Sequence, residues 1–339
     1  MANAALSPEL ESVVARAAQA APLFAATSPE DRARALVAAA DALEAAKPNL
    51  VEIAQRETGL TETRLSGEVT RTAVQLRLFA EALVDGRYLD ARIDEADSAF
   101  ALGVRPDIRR THLPLGPIIN FSASNFPFAF SVAGGDSAAI LAAGCPLIVK
   151  AHSGHPELSD ATAKVLGDAL TAAGMPEGTF QLIHGQQAGV DVLKDPRIKG
   201  GAFTGSIFVG RLLADIAASR PTPIPFFGEL GSVNPVFLTQ GALDERRDEI
   251  ASGYVTAVSG SAGQLCTKPG FVFAPEGHDL DAAIAAAAAP VGEHRLLGPR
   301  LAQSYGARRD AILAAPGVRV IVEGGLRFDE DGQGWATPT

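Results

Sequence analysis

Ile118-Ile119-Asn120-Phe121, then Phe126 to Ala143, then Pro146-Leu147-Ile148-Val149-Lys150 form an apolar run, a longer segment rich in small residues, and a second apolar run. The outer two have the length and β-branched content of buried strands, and the middle one predicts a helix. The alternation continues outward. Glu157 to Ala173 reads as helix, Phe180 to His184 as strand, and Ala188 to Lys194 as a short helix. Gly201 to Thr204 (strand), Ile207 to Ala218 (helix) and Ile224 to Phe227 (strand) complete the series. Strands and helices alternating across short loops predict an α/β chain built on a doubly wound parallel sheet, with ligand loops at the carboxyl ends of its strands.

Upstream, Ser28-Pro29-Glu30-Asp31 carries a capping hydroxyl, a proline and two acids, the signature of a helix start. Leu36, Ala40, Leu43 and Ala46 follow at helical spacing, and Lys47-Pro48 is the expected end. Leu50 to Leu60 and Glu62 to Leu83 extend the pattern, so about three amphipathic helices are expected before residue 90. Phe100 to Leu113 looks extended up to Pro114 and suits an arm or edge strand. A second α/β region begins near Ser232, with Asn234-Pro235-Val236-Phe237-Leu238 as its first strand and Ala282 to Ala289 as a packed helix. Val318-Arg319-Val320-Ile321-Val322 alternates like a strand with an apolar face.

The 339 residues suffice for about two domains. Twenty-nine basic against 39 acidic residues give a net charge of −10, which argues against a nucleic-acid partner and for a small anionic cofactor held locally. The amino terminus lacks the basic start and apolar run of a signal peptide. The longest apolar run, Ala282 to Pro290, falls far short of the roughly 20 residues of a membrane helix. A cytoplasmic location with no membrane partner is the expectation.

Only two cysteines occur, Cys145 and Cys266, so a disulfide framework would rest on a single pair. Cys266 lies in Ser259-Gly260-Ser261-Ala262-Gly263-Gln264-Leu265-Cys266-Thr267, where a thiol is presented for nucleophilic attack or packed as a small hydrophobe. Cys145, before a buried strand, reads as packing. Asn125 in Ser124-Asn125-Phe126-Pro127 is either an oxyanion donor or a helix cap. Lys150 ends its strand where ligands bind, or is an exposed strand-end lysine. Glu229, among apolar residues and glycines in Phe226-Phe227-Gly228-Glu229-Leu230-Gly231, is a desolvated general base or a loop carboxylate paired with arginine. Phe203-Thr204-Gly205-Ser206 joins a strand to a helix and suits a pyrophosphate, although it is not a GxGxxG fingerprint. His152 and His155 stand three apart, but no further ligand lies near them in the sequence, so no metal site is expected.

Asn125-Phe126-Pro127, Lys150, Phe203-Thr204-Gly205-Ser206, Glu229-Leu230-Gly231 with Asn234-Pro235, and Gly263-Gln264-Leu265-Cys266 stand in the order found in the NAD(P)-dependent aldehyde dehydrogenase superfamily. The chain resembles that superfamily over nearly its whole length. Ser124 to Asp136 and Val149-Lys150-Ala151-His152 are similar to the bacterial branch of 2-oxoglutarate semialdehyde (2,5-dioxopentanoate) dehydrogenases and NADP-dependent fatty aldehyde dehydrogenases. The resemblance implies a Rossmann-like cofactor domain over 1–97 and 117–231, the first part of an oligomerisation arm over 98–116, and the beginning of a catalytic domain over 232–339. It also implies a catalytic trio of Cys266 (nucleophile), Asn125 (oxyanion donor) and Glu229 (base). Lys150, Ser153, Thr204, Gly205, Ser206 and Gly231 would bind the cofactor.

NADP is the preferred cofactor on this resemblance, with NAD possible, because Ser153 stands where NAD-preferring relatives often carry glutamate. The substrate is a small aldehyde, and the full-length protein is expected to be a homo-oligomer. Two departures leave the reacting groups in place: Ser124 replaces the usual tryptophan, and Ser232-Val233 replaces Gly-Lys. The family's Glu-x-Phe-Gly-Pro segment and closing strand are absent, so a truncated chain and an incomplete second domain are expected. Three rivals remain: a medium- or long-chain aldehyde substrate with Phe128 and Phe130 lining an apolar tunnel, a non-redox cysteine hydrolase, and an inactive nucleotide-binding fragment.

Overall fold

The computed structural model of the chain describes residues 6–339. It opens with three helices, α1 (Pro8–Ala25), α2 (Pro29–Thr58) and α3 (Glu62–Asp85). Ser7 caps α1, its hydroxyl accepting from the Leu10 N–H at 3.3 Å. Ser28 caps α2, accepting from the Asp31 N–H at 3.0 Å while donating to the Asp31 carboxylate at 2.7 Å. Two expectations need correction. Helix α1 lies ahead of the first start signal read from the sequence, and α2 does not end at Lys47-Pro48 but runs through it. Proline forfeits one ladder hydrogen bond, yet the face on both sides of it, Leu43 before and Leu50 and Val51 after, is buried. That burial outweighs the local break.

Next comes an antiparallel pair, β1 (Arg92–Asp94) with β2 (Ile108–Arg110), exposed at every residue. Only the later part of the extended segment expected over 100–113 is strand, and its partner lies upstream at Arg92–Asp94.

Five strands then form one parallel sheet: β3 (Ile118–Phe121), β4 (Leu147–Lys150), β5 (Phe180–Ile183), β6 (Gly200–Gly205) and β7 (Phe226–Leu230), in the order β5-β4-β3-β6-β7. The order reverses between β3 and β6, which is where open α/β sheets bind ligands. Helices α4 (Gly135–Ala142), α5 (Pro156–Ala172), α6 (Gln186–Lys194) and α7 (Ile207–Ala218) connect the strands. Every residue of β3 and β4 is buried. Val14 and Ala17 of α1 join Ile119, Ile148, Val192, Leu193 and Leu213 in one apolar cluster. Gly189 lets α6 press on the sheet, since a Cβ there would come within 2.7 Å of the Phe121 ring.

The helix expected over 126–143 shrinks to Gly135–Ala142. Residues 126–134 are turns instead, because the N–H groups of Phe128 and Ala129 are bound by the Glu68 carboxylate of α3 at 2.8 and 3.0 Å. The strand expected at 224–227 begins and ends later, at Phe226–Leu230, so Glu229 is a strand residue.

Beyond it are β8 (Pro235–Phe237), α8 (Gln240–Ser259) and β9 (Phe271–Phe273), the two strands pairing in parallel. Helix α9 (Asp281–Ala288) follows, with Ala288 its only buried residue. A three-stranded antiparallel sheet, β10 (His294–Arg295), β11 (Leu326–Phe328) and β12 (Gly334–Ala336), takes the order β10-β12-β11, with α10 (Pro299–Leu313) inserted in the chain before β11. Residues 318–322 are irregular rather than the expected strand. Their alternating pattern finds no partner, and Val318, Val320 and Ile321 are exposed. The chain divides into two compact units, one ending at Leu230 and the other formed by Gly231–Thr339 with Ala54–Thr61.

Candidate active site

In the first unit the candidate residues gather at the carboxyl ends of the parallel strands. The chain leaving β3 is tied to β4, the Ser122 N–H donating to the Lys150 carbonyl at 3.1 Å. Asn125 follows, partly buried, in a loop rather than before a helix, so it caps none. Its backbone carbonyl accepts from the Arg64 guanidinium of α3.

Lys150 is 9% exposed, and burial pulls its ammonium below the usual lysine range. Among the described residues its ammonium has no hydrogen-bond or ion-pair partner. His152, just beyond, is pushed down to about 4, chiefly by burial and then by His155 and Lys150, so it is neutral at pH 7. Its Nδ1 accepts from the Gly154 N–H at 3.0 Å. Ser153 is exposed. His155 is buried and fully engaged, Nε2 donating to the Ala123 carbonyl at 3.0 Å and Nδ1 lying 3.2 Å from the Ser159 hydroxyl. His155 therefore clips the segment after β4 to the loop after β3, and the His152 ring stacks on it at 5.6 Å. Among the described residues no group of three His, Cys, Asp or Glu side chains is arranged to hold a metal.

At the end of β6, Thr204 donates to the Asp136 carboxylate at 3.4 Å. Asp136, in the first turn of α4, is raised by burial, partly offset by Thr204 and reinforced by the charge of Glu229. Gly205 abuts the Phe203 ring, where a Cβ would come within 2.5 Å. The Ser206 hydroxyl caps α7, accepting from the Val209 N–H at 3.3 Å, so it stands at a helix amino terminus as expected but spends one acceptor site on its own backbone. Glu229 is exposed. Its exposure is a correction to the sequence reading, which took apolar neighbours in sequence for burial in space.

In the second unit Cys266 is a half-buried free thiol. Its carbonyl accepts from the Ser232 hydroxyl and from the Asn234 side-chain amide, the latter at 2.6 Å. Asn234 also donates to the Lys268 carbonyl at 3.0 Å, gripping the chain on both sides of Thr267. Upstream, Ser261, Ala262 and Gly263 all have positive φ, at 52, 55 and 70°. Non-glycine residues held there store strain, which clusters at functional sites. Gly263 is required, since a Cβ would meet the Val258 carbonyl at 2.9 Å. Gly231, expected to contact cofactor, has φ 59° and opens this unit. Cys145 is buried, its thiol raised by that burial, and is structural as expected.

Sequence reasoning missed Glu68, Arg64 and Asp136. Nothing in a helical pattern marks which polar residue on α3 turns inward, whereas Asp136 follows a Gly-Gly pair at a helix start and had that signal. Phe128 is buried in the core and Phe130 lies beneath Arg71, so the expected tunnel lining is not realised at Phe128.

The aldehyde dehydrogenase family model matches residues 2–301. The chain belongs to the aldehyde dehydrogenase family. It is 45% identical over 300 residues to Alpha-ketoglutaric semialdehyde dehydrogenase 2 of Azospirillum brasilense, a match covering 86% of this chain and 57% of that protein. It is 38% identical over 322 residues to the Alpha-ketoglutaric semialdehyde dehydrogenase of Acinetobacter baylyi, covering 93% and 61%. The chain thus spans about three fifths of the length of these relatives. Among solved structures, an E. coli NADP-dependent enzyme superposes with a TM-score of 0.81 at 22% identity, covering 97% of this chain and 67% of the other. An NADP-dependent glyceraldehyde-3-phosphate dehydrogenase from Bacillus halodurans complexed with NADP gives 0.75 at 22%, covering 92% and 66%. The aldehyde dehydrogenase fold is common to all of them. Family members use NAD(P), and no helix among the described residues is long and apolar enough to cross a membrane.

Proposed function

We propose that this chain oxidises 2-oxoglutarate semialdehyde to 2-oxoglutarate, with NADP preferred over NAD. The 45% identity to the Azospirillum brasilense Alpha-ketoglutaric semialdehyde dehydrogenase carries the substrate. The Cys266 thiolate adds to the aldehyde carbon, forming a thiohemiacetal whose oxyanion accepts from the Asn125 side-chain amide and the Cys266 N–H. When bound, the nicotinamide cofactor supplies a hydride acceptor, and loss of hydride leaves a thioester on Cys266. Glu229 takes a proton from water, which attacks the thioester carbonyl. The carboxylate departs and the thiolate returns.

The residues fit the cofactor. A buried lysine without a partner at a strand end is a cation prepared for an anion, here the 2′-phosphate, while the exposed Ser153 adds no repelling charge. The amino terminus of α7, with Thr204, Gly205 and Ser206 before it, offers backbone donors to a pyrophosphate. Gly231 would let the backbone turn beside the cofactor, its φ of 59° being one that favours glycine. A cysteine hydrolase is less well supported, because in the second unit neither His278 nor His294 hydrogen-bonds the Cys266 thiol and His278 instead accepts from the Leu280 N–H at 2.9 Å. A cytoplasmic location, homo-oligomers and an arm role for residues 98–116 belong to the same proposal.

The test is NADP reduction across an aldehyde panel, by this chain and by a version extended with the carboxyl-terminal part of the Azospirillum brasilense relative. 2-Oxoglutarate semialdehyde should be the best substrate of the extended version. A higher kcat/KM for long-chain aldehydes would overturn the substrate, and no NADP reduction with any aldehyde would overturn the activity.

A further inference from the structure

Between β3 and α4 the backbone folds back on itself without regular structure. The Ala123 N–H donates to the Phe130 carbonyl at 2.9 Å, and the Gly135 N–H to the Ala129 carbonyl at 3.0 Å. The tip of this loop carries Asn125. One face of α3 holds it. Arg64, Glu68 and Arg71 recur four and three residues apart, so they line up along the helix. Glu68 is only 4% exposed, and one carboxylate oxygen accepts both the Phe128 and the Ala129 N–H, at 2.8 and 3.0 Å. Its other oxygen is buried with no hydrogen-bond partner. Arg64 donates to the Asn125 carbonyl and lies 5.1 Å from the Phe126 ring centroid. Arg71 covers Phe126 and Phe130 at 5.6 and 5.2 Å, and those rings meet edge to face at 5.3 Å.

We propose that Glu68, assisted by Arg64, is a positioning residue that aims the Asn125 side-chain amide by holding its loop from α3. The proposal rests on the reading of Asn125 as oxyanion donor. A carboxylate is a costly group to bury, and an apolar side chain would fill the same space without that cost. What the carboxylate adds is direction: charge-assisted bonds to two successive N–H groups fix the peptide planes three and four residues after Asn125. Arg64 fixes the carbonyl of Asn125 itself. With both ends held, the asparagine side chain leaves the backbone along one line, the preorganisation an oxyanion donor requires. Burial raises the carboxyl of Glu68, while the two N–H groups and the charges of Arg64 and Arg71 oppose that rise.

The experiment needs no catalysis, so it can fail independently of the proposed activity. The chain is labelled with ¹⁵N at asparagine, phenylalanine and alanine. The side-chain amide of Asn125 is identified by its loss in Asn125→Ala, and the backbone amides of Phe128 and Ala129 by their own substitutions. In Glu68→Ala the Asn125 amide should move and broaden, and hydrogen exchange at residues 128 and 129 should quicken by about tenfold or more. The side-chain amides of Asn49, Asn120 and Asn234 should stay in place, which a general loss of structure would not allow. Glu68→Gln keeps an acceptor of the same shape without the charge, so the Phe128 and Ala129 amides should shift upfield and exchange should be intermediate. This variant decides the matter if Glu68→Ala does not fold. A folded Glu68→Ala with the Asn125 amide unmoved, or a Glu68→Gln with the Phe128 and Ala129 amides unmoved, overturns the proposal.

Discussion

The two compact units of this chain bury their strands to different degrees. In the first, β3 and β4 are buried at every residue, with helices supplying the apolar contacts. In the second, the parallel pair β8 and β9 leaves Phe237 72%, Phe271 58% and Phe273 52% exposed. The difference follows from what flanks each sheet. A parallel sheet is stable when both its faces are covered, and the central strands of the first unit meet that condition from its own residues, whereas β7 at its edge stays largely exposed. The proposed nucleophile stands apart from most of the proposed cofactor residues: Lys150, Ser153 and Thr204 lie in the unit with the closed core, together with Asn125 and Glu229, and Cys266 lies in the other with Gly231. Cofactor binding should therefore be separable from aldehyde chemistry.

Cys266→Ala should sharpen that division most. Aldehyde oxidation is expected to vanish while the NADP dissociation constant, measured by calorimetry, stays within about twofold. Substantial remaining turnover would refute the nucleophile. Asn125→Ala acts from the first unit and should cost about 10²–10³ in turnover, the range for one oxyanion donor. An unchanged rate would leave Asn125 a loop residue only.

Stability should divide along the same line. Ile148, fully buried in β4, should lose about 2–5 kcal/mol on change to alanine, whereas Phe273→Ala at its exposed site should cost less than about 1 kcal/mol in denaturant titration. Comparable costs would show that the second unit is better packed than its exposure indicates.

His152 adds a pH signature to the first unit. Its folded pKa of about 4 lies below the ordinary value of 6.5, so the folded state binds fewer protons than the unfolded state between those values. Its contribution is fully present above pH 6.5 and is lost as pH falls toward 4, by up to about 3 kcal/mol. His152→Gln should flatten that part of the stability profile relative to wild type, and parallel profiles would remove His152 as its source. The smallest effect expected is on cofactor choice. Ser153→Glu should reduce the preference for NADP over NAD by about tenfold, because Coulomb repulsion of a 2′-phosphate is screened at an exposed site. Titration of both cofactors measures it.

The parallel sheet was legible because Ile118 to Phe121 and Leu147 to Lys150 are short apolar runs bounded by turn residues, and local pattern suffices for such strands. The misreadings arose where distant residues decide. The turn at 126–134 depends on Glu68, about sixty positions away, so the helical look of its sequence was overridden. Proline at 48 looked like a stop, but burial on both flanks carried the helix through. Val318 to Val322 has strand periodicity and no strand to pair with. The candidate residues Asn125, Lys150, Glu229 and Cys266 could be singled out only as residue types standing in a family's order; Lys150 and Glu229 lie at strand ends and Asn125 and Cys266 in irregular segments. The exposure of Glu229 and the engagement of His155 are properties of packing, which no spacing encodes.

The central claim is that Cys266 forms a covalent acyl intermediate with the aldehyde in a cofactor-dependent step. Incubating the chain with 2-oxoglutarate semialdehyde and NADP, quenching in acid, and mapping adducts by peptide mass spectrometry tests it directly. The account predicts a 2-oxoglutaryl thioester on Cys266 that requires NADP, and none on the buried Cys145. No adduct, an adduct on Cys145, or the same acyl mass formed without cofactor would contradict it.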